Sequence, residues 1–348
     1  MAKLKVGIAG YGVVGRRRHQ CIQARDDLEV VAICDRTFQA ARETVDGLLR
    51  VKDWNALLEE ELDVLFVCVT NDIAADVTIA GLEKGVHVFC EKPPGRNVED
   101  IRRVIAAEKR HPGLKLMYGF NHRYHDSVQE ALRIIRSGEL GRVIAMRGIY
   151  GKSKIITFNQ DDWRTRREVA GGGVLLDQGI HMVDLMRLFA GEFAEIHSFV
   201  SNSHWGYNVE DNAYALMRTT SGVIAHMTSS ATHWRHRFEL DINLDKGGLI
   251  LSGILSGSKS YGAETLTVVT ADPEADNGDP REQVTRYNKD RSWDREIADF
   301  SAAIANDEPI HSGSSADALH TMQAVYGIYH ADPQWRQAYG IPDPGIGV

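Results

Sequence analysis

A chain of 348 residues that is 43% hydrophobic and 25% charged has an ordinary globular composition and is long enough for two domains. Its formal net charge of −8 gives no footing for nucleic acid, and no apolar run reaches membrane-spanning length. The N-terminus enters the first strand without a charged-then-apolar leader, which reads as cytoplasmic. The four cysteines, Cys21, Cys34, Cys68 and Cys90, read as free thiols without zinc-type spacing.

The first expected strand, residues 5–9, runs into Gly10-x-Gly12-x-x-Gly15, and the second, residues 30–34, ends at Asp35. This is the layout a dinucleotide needs. Gly10 permits the tight turn, Gly12 lets the backbone approach the pyrophosphate, and Gly15 lets the next helix pack on the strand. Tyr11, Val13 and Val14 complete the turn. The helix it opens presents amide N–H groups and a positive dipole end to the phosphates. Arg16-Arg17-Arg18 reads as a solvated face of that helix. Asp35 is placed to accept hydrogen bonds from the adenosine ribose, and its charge repels a 2′-phosphate, favouring NAD over NADP. Arg36 pulls the other way, since it could stack on adenine or pair with a 2′-phosphate. The alternative for the glycines is a packing turn that holds no ligand.

Strands over residues 5–9, 30–34, 64–69, 86–90 and 115–119 alternate with helices over 15–24, 38–45, 54–60, 73–84 and 98–110. Short apolar runs rich in β-branched residues are those of buried parallel strands. Residues 1–120 are therefore expected to form an α/β domain, a Rossmann doubly wound parallel sheet. Ligands of such sheets lie at the carboxyl ends of the strands. Gly10, Asp35, Thr70, Asn71, Glu91, Lys92 and Asn121 all fall at those ends and are candidate cofactor contacts.

From residue 121 the pattern changes: a helix over 128–137 that stops at Gly138, a strand over 143–150 and a helix over 175–189. Strand-like runs follow at 194–200, 213–219, 223–229, 238–243, 248–252 and 265–270. Residues 271–281 read as an exposed loop, and helices over 292–306 and 314–330 close the chain. Residues 121–348 are expected to form a substrate-binding α+β domain on a large, mostly antiparallel open sheet.

Two further clusters carry chemistry. Lys92 stands in Glu91-Lys92-Pro93-Pro94 directly after a strand, where its ammonium could bind a substrate hydroxyl and where an X–Pro bond can be cis. The alternative is a surface lysine before a turn. A helix over 175–189 would place Asp177, His181 and Asp184 at i, i+4 and i+7, on one face. An imidazole held by a carboxylate is the usual general acid/base. A satisfied core histidine and a metal ligand remain open for His181, although no third ligand accompanies it and Asp177. Residues 150–167, with Lys152, Lys154, Trp163, Arg164, Arg166 and Arg167, form either a grip for a phosphate or carboxylate or a solvated loop.

Residues 10–15, Glu91-Lys92-Pro93 and the GG…DxGxHxxD pattern over 172–184 together resemble the glucose–fructose oxidoreductase/inositol dehydrogenase (Gfo/Idh/MocA) family, over nearly the whole chain. The resemblance implies an NAD-dependent oxidoreductase acting on a secondary alcohol of a sugar, cyclitol or nucleotide sugar. It implies a catalytic trio of Lys92, Asp177 and His181, with Arg123, Trp163 and Arg164 among the substrate contacts. It also implies a homodimer or homotetramer built through the C-terminal sheet. Two departures touch substrate contacts: Thr70-Asn71-Asp72-Ile73-Ala74-Ala75 lacks the family's Thr-Pro and later histidine, and Asn121-His122-Arg123-Tyr124 replaces paired arginines. Other readings are an enzyme that holds NAD tightly for transient oxidation, as a dehydratase or glycosidase would, and a non-catalytic NAD-binding regulator. Lys92 and His181 argue against the regulator.

Overall fold

In the computed structural model the apolar runs near the N-terminus pair as a buried parallel sheet. The structure describes residues 3–154, 162–272 and 274–346. The chain divides into two units: Met1–Phe120 with Trp293–Leu319, and Asn121–Ser292 with His320–Val348.

The first unit is built on β1 (Leu4–Ala9), β2 (Leu28–Cys34), β3 (Arg42–Val45), β4 (Leu48–Val51), β5 (Val64–Val67), β6 (His87–Glu91) and β7 (Leu116–Gly119), in the order β3-β4-β2-β1-β5-β6-β7. Every neighbouring pair is parallel except β3–β4. Val6, Ile8, Val64, Leu65, Phe66, Val88 and Phe89 are fully buried, as strands covered on both faces require. Helices Val13–Gln23, Asn71–Glu83 and Val98–Glu108 make the crossovers. The strand order reverses between β1 and β5, so the ends of β1, β2, β5 and β6 flank a switch point.

Two expectations for this unit are corrected. The helix over residues 38–45 is instead the hairpin β3–β4, turned by Asp46 and Gly47 at φ 52° and 80°. Two positive φ angles make the primed turn that suits hairpin twist, and Asp-Gly is its signature. Nor is Arg18 solvated. It is fully buried, its Nε on Glu91 Oε1 and its Nη2 on Glu296 Oε2, both at 2.6 Å, and its guanidinium lies over Phe89 and Trp293. That ion triad ties the segment Trp293–Leu319 to the parallel sheet.

The second unit carries β8 (Val143–Gly151), β9 (Phe193–Ser201), β10 (Asn212–Thr219), β11 (Ile224–Ser230), β12 (Arg237–Leu244), β13 (Gly247–Ser252), β14 (Glu264–Thr270) and β15 (Arg281–Tyr287), in the order β15-β14-β13-β12-β8-β11-β10-β9. Only β8–β11 is parallel. Along β10 Ala213, Ala215 and Met217 are buried while Tyr214 and Leu216 are exposed, so one face is packed and the other bare. Helix Ile180–Ala190 lies on the packed face over β8, where Gly148 leaves room for Met182 and Met186.

Strand β15 and the helix Pro333–Tyr339 escape the sequence reading. β15 is an edge strand exposed along nearly its whole length, so no apolar alternation marks it. The helix opens on Asp332 as N-cap with Pro333 following, a start signal that was readable. The expected helix over 175–189 is not continuous α-helix: Leu175–Gly179 is a π turn, and the α-helix begins at Ile180. Among the described residues no helix is long and apolar enough to cross a membrane, and the four cysteines are free.

Candidate active site

The glycine turn after β1 has the shape its spacing implies. Gly10 sits at φ 91° with the Cys68 carbonyl where a Cβ would project, so only glycine fits. The Gly10 carbonyl occupies the place of a Cβ on Gly15, which seats the helix against the strand. A Cβ on Gly12 would meet nothing within 4 Å: its side is open, as approach of a pyrophosphate needs. Helix Val13–Gln23 starts there with no side-chain cap and no acidic residue in its first turn, which leaves the positive end of its dipole without a counter-charge from its own first turn.

Asp35 follows β2 and accepts the Tyr11 backbone N–H on Oδ2 at 2.9 Å. Tyr11 in turn reaches His19 Nδ1 through its hydroxyl at 2.6 Å. Val14 is half-buried behind the turn, and Arg36 is exposed. Thr70 precedes helix Asn71–Glu83, again without a side-chain cap, and Asn71 is buried at its start. These residues fit NAD: an uncapped helix end for phosphate, an oriented carboxylate for ribose, and an open glycine between them. Glu91 differs from the rest, since its carboxylate is held by Arg18.

Lys92 is half-buried at the end of β6, and its bond to Pro93 is cis.

The second unit assembles the other residues. Asp177 lies in the π turn with its carboxylate about a quarter exposed, Oδ2 at 3.1 Å from Lys152 Nζ and Oδ1 at 3.5 Å from Arg164 Nε. Arg164 also covers the Trp163 ring at 4.3 Å. His181 is buried, and its ring is stacked on His122 at 3.7 Å. The π turn is fixed by Glu210, which the sequence did not single out. Its Oε2 accepts the Gly173 N–H at 2.7 Å, and its Oε1 accepts the Leu175 N–H at 2.9 Å and the Tyr329 hydroxyl at 2.7 Å. Burial pushes the Glu210 carboxyl above the usual carboxylate range. The Glu210 carbonyl also stands where a Cβ on Gly173 would lie, which explains the glycine before the turn. A π turn set between protein donors at such a helix start is a common functional device.

Three expectations change here. Asp184, three residues on from His181 in the α-helix, is taken up by partners of its own. It is buried, and its carboxylate takes Arg123 Nε and Nη2 at 2.7 and 2.6 Å and the Thr321 hydroxyl at 3.0 Å. The π turn lies before His181, so it alters the register of Asp177 against the helix, while His181 and Asp184 keep the i, i+3 spacing of one face. Arg123, expected among the substrate contacts, is therefore committed to a buried bidentate pair. Lys152 and Arg164, candidates for gripping a substrate phosphate, turn onto Asp177 instead, while residues 155–161 of that segment lie outside the described residues. Asn121 is buried, its amide between His122 and Ser292.

Residues 4–120 match the family described as "Oxidoreductase family, NAD-binding Rossmann fold". Residues 128–250 match the "GFO/IDH/MocA C-terminal domain". The D-glucoside 3-dehydrogenase of Escherichia coli K12 is 29% identical over 274 residues, 71% of this chain and 77% of that protein. The inositol 2-dehydrogenase of Salmonella typhimurium LT2 is 26% identical over 278 residues, 77% of this chain and 80% of that protein. Among solved structures, levoglucosan dehydrogenase in complex with NADH superposes with a TM-score of 0.83 at 21% identity, covering 96% of this chain and 98% of that one. Aldose-aldose oxidoreductase from Caulobacter crescentus gives 0.80 at 23% identity, covering 96% and 98%. The two structures share the fold.

Proposed function

Because the chain belongs to the Gfo/Idh/MocA family of NAD-binding oxidoreductases, we propose that it oxidises a secondary alcohol of a sugar, cyclitol or sugar derivative, with Lys92, Asp177 and His181 in the catalytic roles. The observation that carries this reading is the π turn. It presents Asp177, oriented by Lys152 and Arg164, one turn ahead of a buried imidazole. The named relatives, a glucoside and an inositol dehydrogenase, support the substrate class.

Residues 10–15 and Asp35 would hold NAD, which would supply the acceptor for the hydride leaving the carbinol carbon. His181 takes the hydroxyl proton as that bond opens. Lys92 donates a hydrogen bond to the same oxygen and favours its developing negative charge. Asp177 accepts a hydrogen bond from a neighbouring hydroxyl. Its two cationic partners fix its direction, so it binds a diol as an oriented acceptor. Self-association through the bare sheet face belongs to the same reading.

The test is NADH formation from NAD+ with a panel of cyclitols, aldoses, glycosides and uronic acids, for the wild type beside Lys92→Ala and His181→Ala. Turnover of one class by the wild type, reduced about a thousandfold in both variants, is expected. Wild-type rates in either variant would defeat the assignment. Cofactor that co-purifies and cycles without release of NADH would move the reading to an enzyme of transient oxidation.

A further inference from the structure

The rings of His122 and His181 lie face to face, 3.7 Å between centroids and 14° between planes, and both side chains are buried. Charge on both at that separation would be strongly repulsive. The state of His122 therefore bears on what His181 can do.

A directional chain of hydrogen bonds fixes that state. Ser292 donates its hydroxyl to Asp290 Oδ1 at 2.6 Å. Having spent its proton there, Ser292 Oγ accepts from Asn121 Nδ2 at 3.1 Å. The Asn121 amide oxygen is thereby turned to His122 Nδ1, 3.3 Å away. An amide oxygen only accepts, so Nδ1 carries the hydrogen. His122 Nε2 is left to Tyr150 Oη at 3.1 Å. Burial holds the Tyr150 phenol well above its ordinary value, so it stays an O–H donor. Every link is met by the neutral Nδ1–H form of His122. A second proton on Nε2 would reverse the Tyr150 bond and set a cation against the His181 face.

We propose that His122 is a positioning residue for proton transfer at His181: a ring locked neutral by Tyr150, Asn121, Ser292 and Asp290, against whose face the His181 imidazolium forms. The inference rests on His181 being the base. The stack fixes the plane of the His181 ring, and a neutral aromatic face favours the charge it gains. The surrounding ionisable groups are already paired. His125, edge-on to His122 at 5.5 Å, has its Nδ1 on Glu264 at 2.8 Å. Tyr261, against Tyr150, donates to Gln178. Asp177 has Lys152 and Arg164, and Asp184 has Arg123 with Arg187 nearby. His122 is the group among them that stacks on His181.

Long-range proton–nitrogen correlation spectra of protein with 15N-labelled histidine read tautomer and charge without turnover. In the wild type His122 stays in the neutral Nδ1–H form from about pH 5 to 8, and in Tyr150→Phe it titrates within that range. In kinetics, Tyr150→Phe lowers kcat about tenfold with KM within about twofold, and moves the acid limb of kcat/KM to higher pH. His122→Ala loses about thirtyfold in kcat, and His122→Phe restores most of it with the wild-type acid limb, whereas His122→Leu, of comparable bulk without a π face, does not. A wild-type His122 that titrates like an ordinary imidazole, or a His122→Leu that recovers as well as His122→Phe, overturns the proposal. Those results in an enzyme that turns over and depends on His181 defeat this inference alone. A wild type without turnover defeats the functional reading, and the spectra still separate a locked His122 from a titrating one.

Discussion

The carboxylate of Asp35 accepts the backbone N–H of Tyr11 at 2.9 Å, which ties the end of β2 to the glycine turn after β1. Its other oxygen takes the N–H and hydroxyl of Thr37 at 2.9 and 2.6 Å. The acid expected to face the adenosine ribose is thus oriented by three donors before any cofactor arrives. Asp35→Ala removes both the ribose acceptor and the charge that opposes a 2′-phosphate. The ratio of kcat/KM for NAD+ over NADP+ is expected to fall about a hundredfold, roughly 2.7 kcal/mol of discrimination. Steady-state rates with the two cofactors measure it, and an unchanged ratio would remove Asp35 from cofactor selection.

Arg123 and Asp184 make a second prediction. Their buried bidentate pair is a structural device, so its loss is read in stability rather than in substrate affinity. Asp184→Asn leaves the guanidinium buried without its countercharge and costs about 3–5 kcal/mol. Arg123→Lys keeps the charge but loses the planar fork, and is expected to destabilise by a smaller amount. Denaturant unfolding checks both. If Arg123→Lys instead raised KM about tenfold with stability unchanged, Arg123 would return to the substrate contacts.

The parallel sheet of the first unit was legible because buried strands are written as β-branched runs, and because the glycines stand at positions where backbone takes the place of a side chain. The bare-faced sheet was legible from alternation, as in β10. What escaped did so for identifiable reasons. Asp46-Gly47 signalled a hairpin, but the segment before it was read by helical period alone. A π turn uses the same residues as an α-helix, so Leu175–Gly179 left no mark, and the pairing of Asp184 with Arg123, 61 residues before it, left none either. Glu210 and His122 owe their roles to partners distant in sequence: Glu210 holds amides 37 and 35 residues before it. No local pattern encodes such contacts. His122 appeared only as a departure from paired arginines.

The pair His125–Glu264 sets a pH dependence of stability. Burial by itself would raise the Glu264 carboxyl. The hydrogen bond and charge of His125, with the Ser127 N–H and hydroxyl, outweigh it and hold Glu264 below the usual carboxylate value. In the acid range the unfolded chain then binds more protons than the folded one, so stability rises with pH there. The contribution is present above the ordinary glutamate value of about 4.3 and is lost as pH falls through the lower folded value. Glu264→Gln lacks this titration. Its stability is expected to fall less steeply than the wild type's below about pH 4.3, while being lower at neutral pH. Urea midpoints across that range decide, and parallel curves would show that Glu264 carries no linkage.

The last prediction concerns the bare face of the second sheet. Phe199, Tyr214, Leu216 and Ile224 are exposed at 79%, 44%, 51% and 37%. Register places Tyr214 beside Phe199, and Leu216 two residues along the same face. A contiguous apolar patch on an eight-stranded sheet is unusual for a surface that stays in water. A second copy of the chain is the occupant the proposal assigns, meeting the face as an isologous pair in which each patch covers the other. Sedimentation velocity is expected to show a dimer or tetramer for the wild type. The double variant Phe199→Glu/Leu216→Glu places like charges in the centre of such an interface, where each unpaired buried charge costs several kcal/mol. It is expected to run as a monomer with unchanged far-ultraviolet circular dichroism, because both side chains point away from the core of their own chain. A wild type that is monomeric at all concentrations, or a double variant that assembles like the wild type, would take this face out of any self-association.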